Sequence, residues 1–199
     1  MLLPESWTER LPFLSALEED WRPVPRVALI GWLIFYAFVL FELISGGSFP
    51  NYMNLVFLPV HEGGHLLFAW FGQFIAVAGG TFLQLAAPAM LAIYFAFRRQ
   101  PQGVTFCLFF FFQQFLPISI YMADARAQEL PLVSVGGGDD VIHDWNYLFS
   151  KLGLLAHDTQ IASAVRIIGW LGMIATVVWF TRRGLARSSK AAGADANWK

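Results

Sequence analysis

Charge is what this sequence has least of. Only 14% of its 199 residues are Asp, Glu, Lys or Arg, roughly half the share of an ordinary soluble domain. Between Arg26 and Arg98 the only charged side chains are Glu42 and Glu62, and between Arg99 and Asp124 there are none. That supply cannot cover a water-facing surface, whereas a surface bathed in lipid needs none. The net charge is −1, so no basic field exists to hold nucleic acid. Cysteine is almost missing as well. Cys107 stands alone, which excludes an internal disulfide and any thiolate-built zinc cluster. Met1 to Asp20 is mixed and acidic and lacks the basic start and apolar core of a secretory leader.

What is plentiful is apolar: 57% of the chain is hydrophobic, with 20 Phe and 8 Trp. A membrane helix takes about 20 such residues. The charge-poor stretches therefore predict an all-α polytopic membrane helix bundle of about five transmembrane helices, over 27–43, 52–71, 81–97, 103–122 and 161–181. A short re-entrant segment is expected near 72–81. Residues 1–26 read as an N-terminal interfacial segment with Trp7, Leu11, Leu14 and Trp21 at the water–lipid boundary. The membrane domain covers 27–181 and includes a polar loop over 123–160, and 182–199 forms a basic tail expected to be disordered. Under five spans the Lys and Arg residues nearly balance across the bilayer, with a slight excess favouring a cytoplasmic C-terminus. The setting expected is a multi-pass protein of a bacterial inner membrane.

One motif carries chemistry. His61-Glu62-Gly63-Gly64-His65 fits His-Glu-x-x-His. On a helix, positions i and i+4 share a face, so both imidazoles can address one ion. Zinc favours neutral imidazole nitrogen and keeps a position open for water. Glu62 is displaced by about 100° around the helix from His61, within reach of that water as general base. Ionisable groups at membrane depth are costly and mark function by default.

A third protein ligand has to come from elsewhere. Asp124, just past the fourth span, is the first candidate, His143 the second and Glu129 the third. His143 has a second option, hydrogen-bonding an oxyanion, and its neighbour Asp144 either orients that ring or stays solvated. Gly79-Gly80-Thr81 follows the metal helix and is expected to expose a backbone edge that holds an extended substrate. Gln113 and Gln114 are read as interhelical hydrogen-bonding residues.

These residues resemble the site-2 protease family of intramembrane zinc metalloproteases. That family carries His-Glu-x-x-His in a membrane helix, often with Gly before the second His, as in Val60-His61-Glu62-Gly63-Gly64-His65. It also has a Gly-rich segment soon after, comparable to Gly79-Gly80-Thr81. An Asn-x-x-Pro pattern then leads to an Asp-Gly whose aspartate is the third ligand. The nearest match here is Gln114-Phe115-Leu116-Pro117 running on to Asp124-Ala125, so Gln stands for Asn and Ala for Gly. The resemblance covers roughly residues 52–130. It implies a metalloprotease-like domain that cleaves membrane-embedded peptide segments of a membrane protein or peptide substrate with zinc-bound water. Two alternatives of other classes stand beside it: a non-catalytic metal-binding scaffold, and a metal transporter, which would be expected to show inverted repeats.

Overall fold

The structure, a computed structural model, describes residues 21–131 and 142–196, with side chains as far as Leu185. The Asp139-Asp140 pair and almost all of the proposed interfacial segment 1–26 lie outside the described residues.

The chain is an all-α bundle. Helix α1 spans Arg26–Ser45, α2 Phe49–Phe68 and α3 Gln73–Phe97, with a 3-10 turn at Ala69–Phe71 between the last two. Helices α4, Pro101–Gln113, and α5, Phe115–Ala123, follow one another with a break at Gln114. Pro117 explains that break, because it has no N–H and its ring crowds the carbonyl four residues back, on Gln113. A short helix α6, Asp144–Leu152, and a 3-10 turn at Leu155–His157 lead into α7, Asp158–Ala196. Helix α7 therefore runs on through much of the tail expected to be disordered.

Four of these segments are long and apolar enough to cross a membrane: Arg26–Ser45, Gln73–Phe97, Pro101–Ala123 and Leu155–Leu185. Their flanks leave Val27, Ile34, Phe41, Leu91 and Leu171 exposed, as lipid-facing helices should. The protein is thus a membrane protein, with four such helices where five were expected. The missing span is α2. Asn51, Asn54, His61, Glu62 and His65 lower its apolar character.

The direction of each helix shows where the two ends of α2 lie. The Arg22 N–H donates to the Arg99 carbonyl at 2.9 Å, and Trp21 meets Trp179 edge-on at 5.3 Å. The start of α1, the α3–α4 turn and the late part of α7 therefore share one end of the bundle. Helix α1 leaves that end and α3 arrives at it, so α2 begins and finishes on the opposite side. Arg126 at the end of α5 holds Asp158 at the start of α7 at 2.8 Å, marking that opposite end.

The core has two parts. Tyr36, Phe109, Phe110, Met173 and Phe180 knit α1, α4 and α7, while Ile118, Met122, Phe149 and Ala162 fasten α5, α6 and α7 nearer the opposite end. Helix α2 leans chiefly on α3.

Candidate metal centre

The α2–α3 contact is a backbone-to-backbone approach. A Cβ on Gly64 would strike the carbonyl of Gly79 and Cα of Gly80, and a Cβ on Gly80 would meet His65 Nε2 at 2.5 Å and His61 Nε2 at 2.8 Å. Only glycine leaves room at these points. The two imidazoles consequently lie on the α3 backbone, 4.8 Å apart between centroids and steeply crossed at 81°.

Gly79 and Gly80 are interior residues of α3, not a re-entrant segment near 72–81. Their backbone is spent on helix hydrogen bonds and their surfaces are buried against α2. The expected substrate-holding edge at Gly79-Gly80-Thr81 is therefore absent, and the glycines serve helix packing instead.

Each ring is held by its Nδ1. His65 Nδ1 lies 2.9 Å from the Ala76 carbonyl oxygen, and His61 Nδ1 lies 2.9 Å from Gln84 Oε1. Gln84 Nε2 in turn donates to Gln114 Oε1 at 2.7 Å, and Gln114 Nε2 to Gln113 Oε1 at 2.6 Å. All three amides are buried. A carbonyl oxygen only accepts, so Nδ1 of each histidine carries a proton and Nε2 is left for the site. Second-sphere partners of this kind fix the tautomer of metal-binding histidines.

Both Nε2 atoms face one carboxylate, that of Asp144. Its Oδ2 stands 3.1 Å from His61 Nε2 and 3.3 Å from His65 Nε2. The donor atoms of His61, His65 and Asp144 all lie within 4.8 Å of one another. Ligands about 2.0–2.2 Å from a tetrahedral zinc stand roughly 3.3–3.5 Å apart. The three side chains could hold a metal ion, and the two histidine–carboxylate spacings are close to those values. Burial alone pushes the Asp144 carboxyl up, but its contacts with His61 and His65 outweigh that and hold it below the ordinary aspartate range. The cluster calls for positive charge at its centre, which protons or a divalent cation can supply.

The acid that meets the histidine pair is Asp144, not one of the three candidates read from the sequence. Asp124, His143 and Glu129 are not among the donors that meet the histidine pair. Asp124 Oδ2 pairs with His143 Nε2 at 3.2 Å and the Asp124 carboxylate also accepts the N–H groups of Glu129 and Leu130. Glu129 itself is exposed. His143 caps α6, its Nδ1 accepting the Asn146 N–H at 3.2 Å, so its Nε2–H donates to Asp124. The Tyr121 ring lies 4.3 Å from that of His143, and the Tyr121 hydroxyl accepts the Asp144 N–H at 3.1 Å. Asp124, His143 and Tyr121 form a clamp that sets the first residue of α6 at the histidines. Tyr121 was overlooked in the sequence, where nothing in its spacing marks it.

Glu62 is half-buried and acts electrostatically on His65 and Tyr121. Among the described residues no hydrogen bond or ion pair is found for its carboxylate. Comparison with family models, with curated proteins and with solved structures finds no match. The chemistry of the site rests on its own geometry.

Proposed function

We propose that the chain is a membrane-embedded zinc metallopeptidase of the site-2 protease kind, cleaving peptide segments presented at or within the bilayer. The observation that carries this reading is the meeting of Asp144 Oδ2 with both His61 Nε2 and His65 Nε2, with each Nδ1 already committed to a carbonyl-type acceptor. His61, His65 and Asp144 would hold the ion. When bound, zinc supplies Lewis acidity, polarising a carbonyl and acidifying water.

The remaining work falls to side chains. Glu62 follows His61 directly and its carboxylate is unpaired among the described residues, which supports a role in taking a proton from the attacking water and returning it to the leaving amine. The Gln84 amide and the Ala76 carbonyl keep the two rings turned inward. The Asp124–His143–Tyr121 clamp keeps Asp144 beside the two histidines, where it would help hold the ion.

Metal content and proteolysis of the purified protein test the reading together. The wild type should bind about one zinc per chain and His61→Ala should lose it. Glu62→Gln should retain zinc while cleavage falls about 10²- to 10⁴-fold. A folded wild type that binds no zinc, or a Glu62→Gln variant with full activity, defeats the proposal. Zinc held without any cleavage would leave a metal-binding scaffold.

A further inference from the structure

The four crossings sort the charges. One end of the bundle carries Arg22, Arg26, Arg98, Arg99, Arg182 and Arg183, and no described acid. The other carries Glu42, Asp124, Glu129, Asp144 and Asp158, with Arg126 and Lys151 as its cations, and Arg166 lies two turns inside α7. Under five spans these cations nearly balanced. With α2 returning to the side it started from, they divide six against three. Arg99 and Arg183 stack on Trp21 at 5.4 and 4.6 Å, which places an aromatic anchor at the same end, and Trp70 stands 91% exposed between α2 and α3 at the other. Such rings favour the headgroup level.

The histidine centre belongs to the acidic end. Ala76, which holds His65, is three residues inside α3, about 5 Å along its axis, and Gln84, which holds His61, is about 16 Å along it. Asp144 and His143 come from the connection beyond α5, outside all four crossing segments. Basic residues flanking short membrane segments are retained on the cytoplasmic side.

We propose that the arginine end faces the cytoplasm and that the His61–His65–Asp144 centre opens on the opposite, non-cytoplasmic face. Its substrates are then peptide segments presented from the non-cytoplasmic half of the bilayer. The orientation is independent of the peptidase reading, while the substrate clause rests on it.

Cysteine accessibility tests the orientation. In a Cys107→Ala background, Lys151→Cys marks the site end and Gln102→Cys the arginine end. A membrane-impermeant maleimide should label Lys151→Cys in intact cells and Gln102→Cys only after permeabilisation; the reverse pattern overturns the proposal. If either variant fails to fold, a fusion after Lys199 of the full chain decides instead. A fluorescent protein there should glow and an alkaline phosphatase there should be inactive, and an active phosphatase refutes the orientation. Two model single-span peptides, one unwound in the non-cytoplasmic half and one in the cytoplasmic half, test the substrate clause. Only the first should be cut. Cleavage of the second alone overturns that clause. Cleavage of neither overturns it through the peptidase reading, with the orientation still decided by labelling.

Discussion

His65 Nδ1 points at the backbone carbonyl of Ala76, 2.9 Å away, and that single contact assigns the ring. A carbonyl cannot donate, so Nδ1 carries a proton, and Nε2, which faces Asp144, is the atom left to take a cation or a second proton. The acceptor is main chain on the neighbouring helix, so substitution at position 76 leaves it in place. For His61 the same task falls to a side chain, Gln84, which makes the two histidines unequal under mutation.

The third donor is the sharpest point to test. Asp144→Ala should weaken zinc binding by more than about 100-fold, since it removes a charged ligand, whereas Asp124→Ala disturbs only the clamp and should cost about 10- to 100-fold, as outer partners do. Competition with a chelator of known affinity measures both. An Asp124 variant weaker than the Asp144 variant would return the ligand role to Asp124.

Gln84→Leu removes the acceptor for His61 Nδ1–H and leaves Gln114 Oε1 without its donor. We expect zinc affinity to fall about 10- to 100-fold and stability to fall by about 1–3 kcal/mol for the orphaned buried amide. Ala76→Val should leave the His65 contact intact. Zinc affinity unchanged in a folded Gln84→Leu protein would remove the amide chain from the site.

Much of this was legible in the sequence, and the failures have physical causes. The charge-free runs announced a helical membrane protein, and His61-Glu62-Gly63-Gly64-His65 announced the two imidazoles, because an i, i+4 relation is local. Asp144 is 83 residues from His61, and no local pattern joins them. Next to His143 it read as that ring's support or as a solvated acid, whereas in the structure His143 supports the helix end that carries Asp144. A fifth crossing was expected over 52–71 on length, but Asn51, Asn54 and the motif itself leave α2 less apolar than the four helices long and apolar enough to cross. Gly79-Gly80 read as a break because glycine is poor in helices, yet the close approach of α2 is what demands it.

Acid should loosen the clamp. Burial raises the Asp124 carboxyl, but the N–H groups of Glu129 and Leu130 and the contact with His143 outweigh it, and its pKa is lowered by folding. A carboxyl depressed in the folded state stabilises above its unfolded value, roughly pH 4, and that contribution is lost as pH falls through the lower folded value. Thermal midpoints in detergent should therefore drop below about pH 4 in the wild type and respond less in Asp124→Asn. Identical acid profiles for the two proteins would show that Asp124 is not the responsible group.

The adjacent glycines of the motif offer a matched pair. A Cβ on Gly63 meets only Leu83 Cδ2, at 4.0 Å, while one on Gly64 runs into the Gly79 carbonyl and Gly80 Cα. Both positions are helical, so Gly→Ala gains about 1 kcal/mol of helix propensity at each. At position 63 nothing opposes that gain, and Gly63→Ala should keep zinc and raise the thermal midpoint slightly. At position 64 the new methyl must push α2 off α3, an overpacking cost of about 1–3 kcal/mol or more. The rings then move from the Gly80 backbone and from Asp144 together. Gly64→Ala should accordingly unfold earlier and bind zinc more weakly, and its loss should exceed that of Gly63→Ala in both measurements. Equal behaviour of the two variants would mean that the α2–α3 backbone contact does not set the position of His61 and His65.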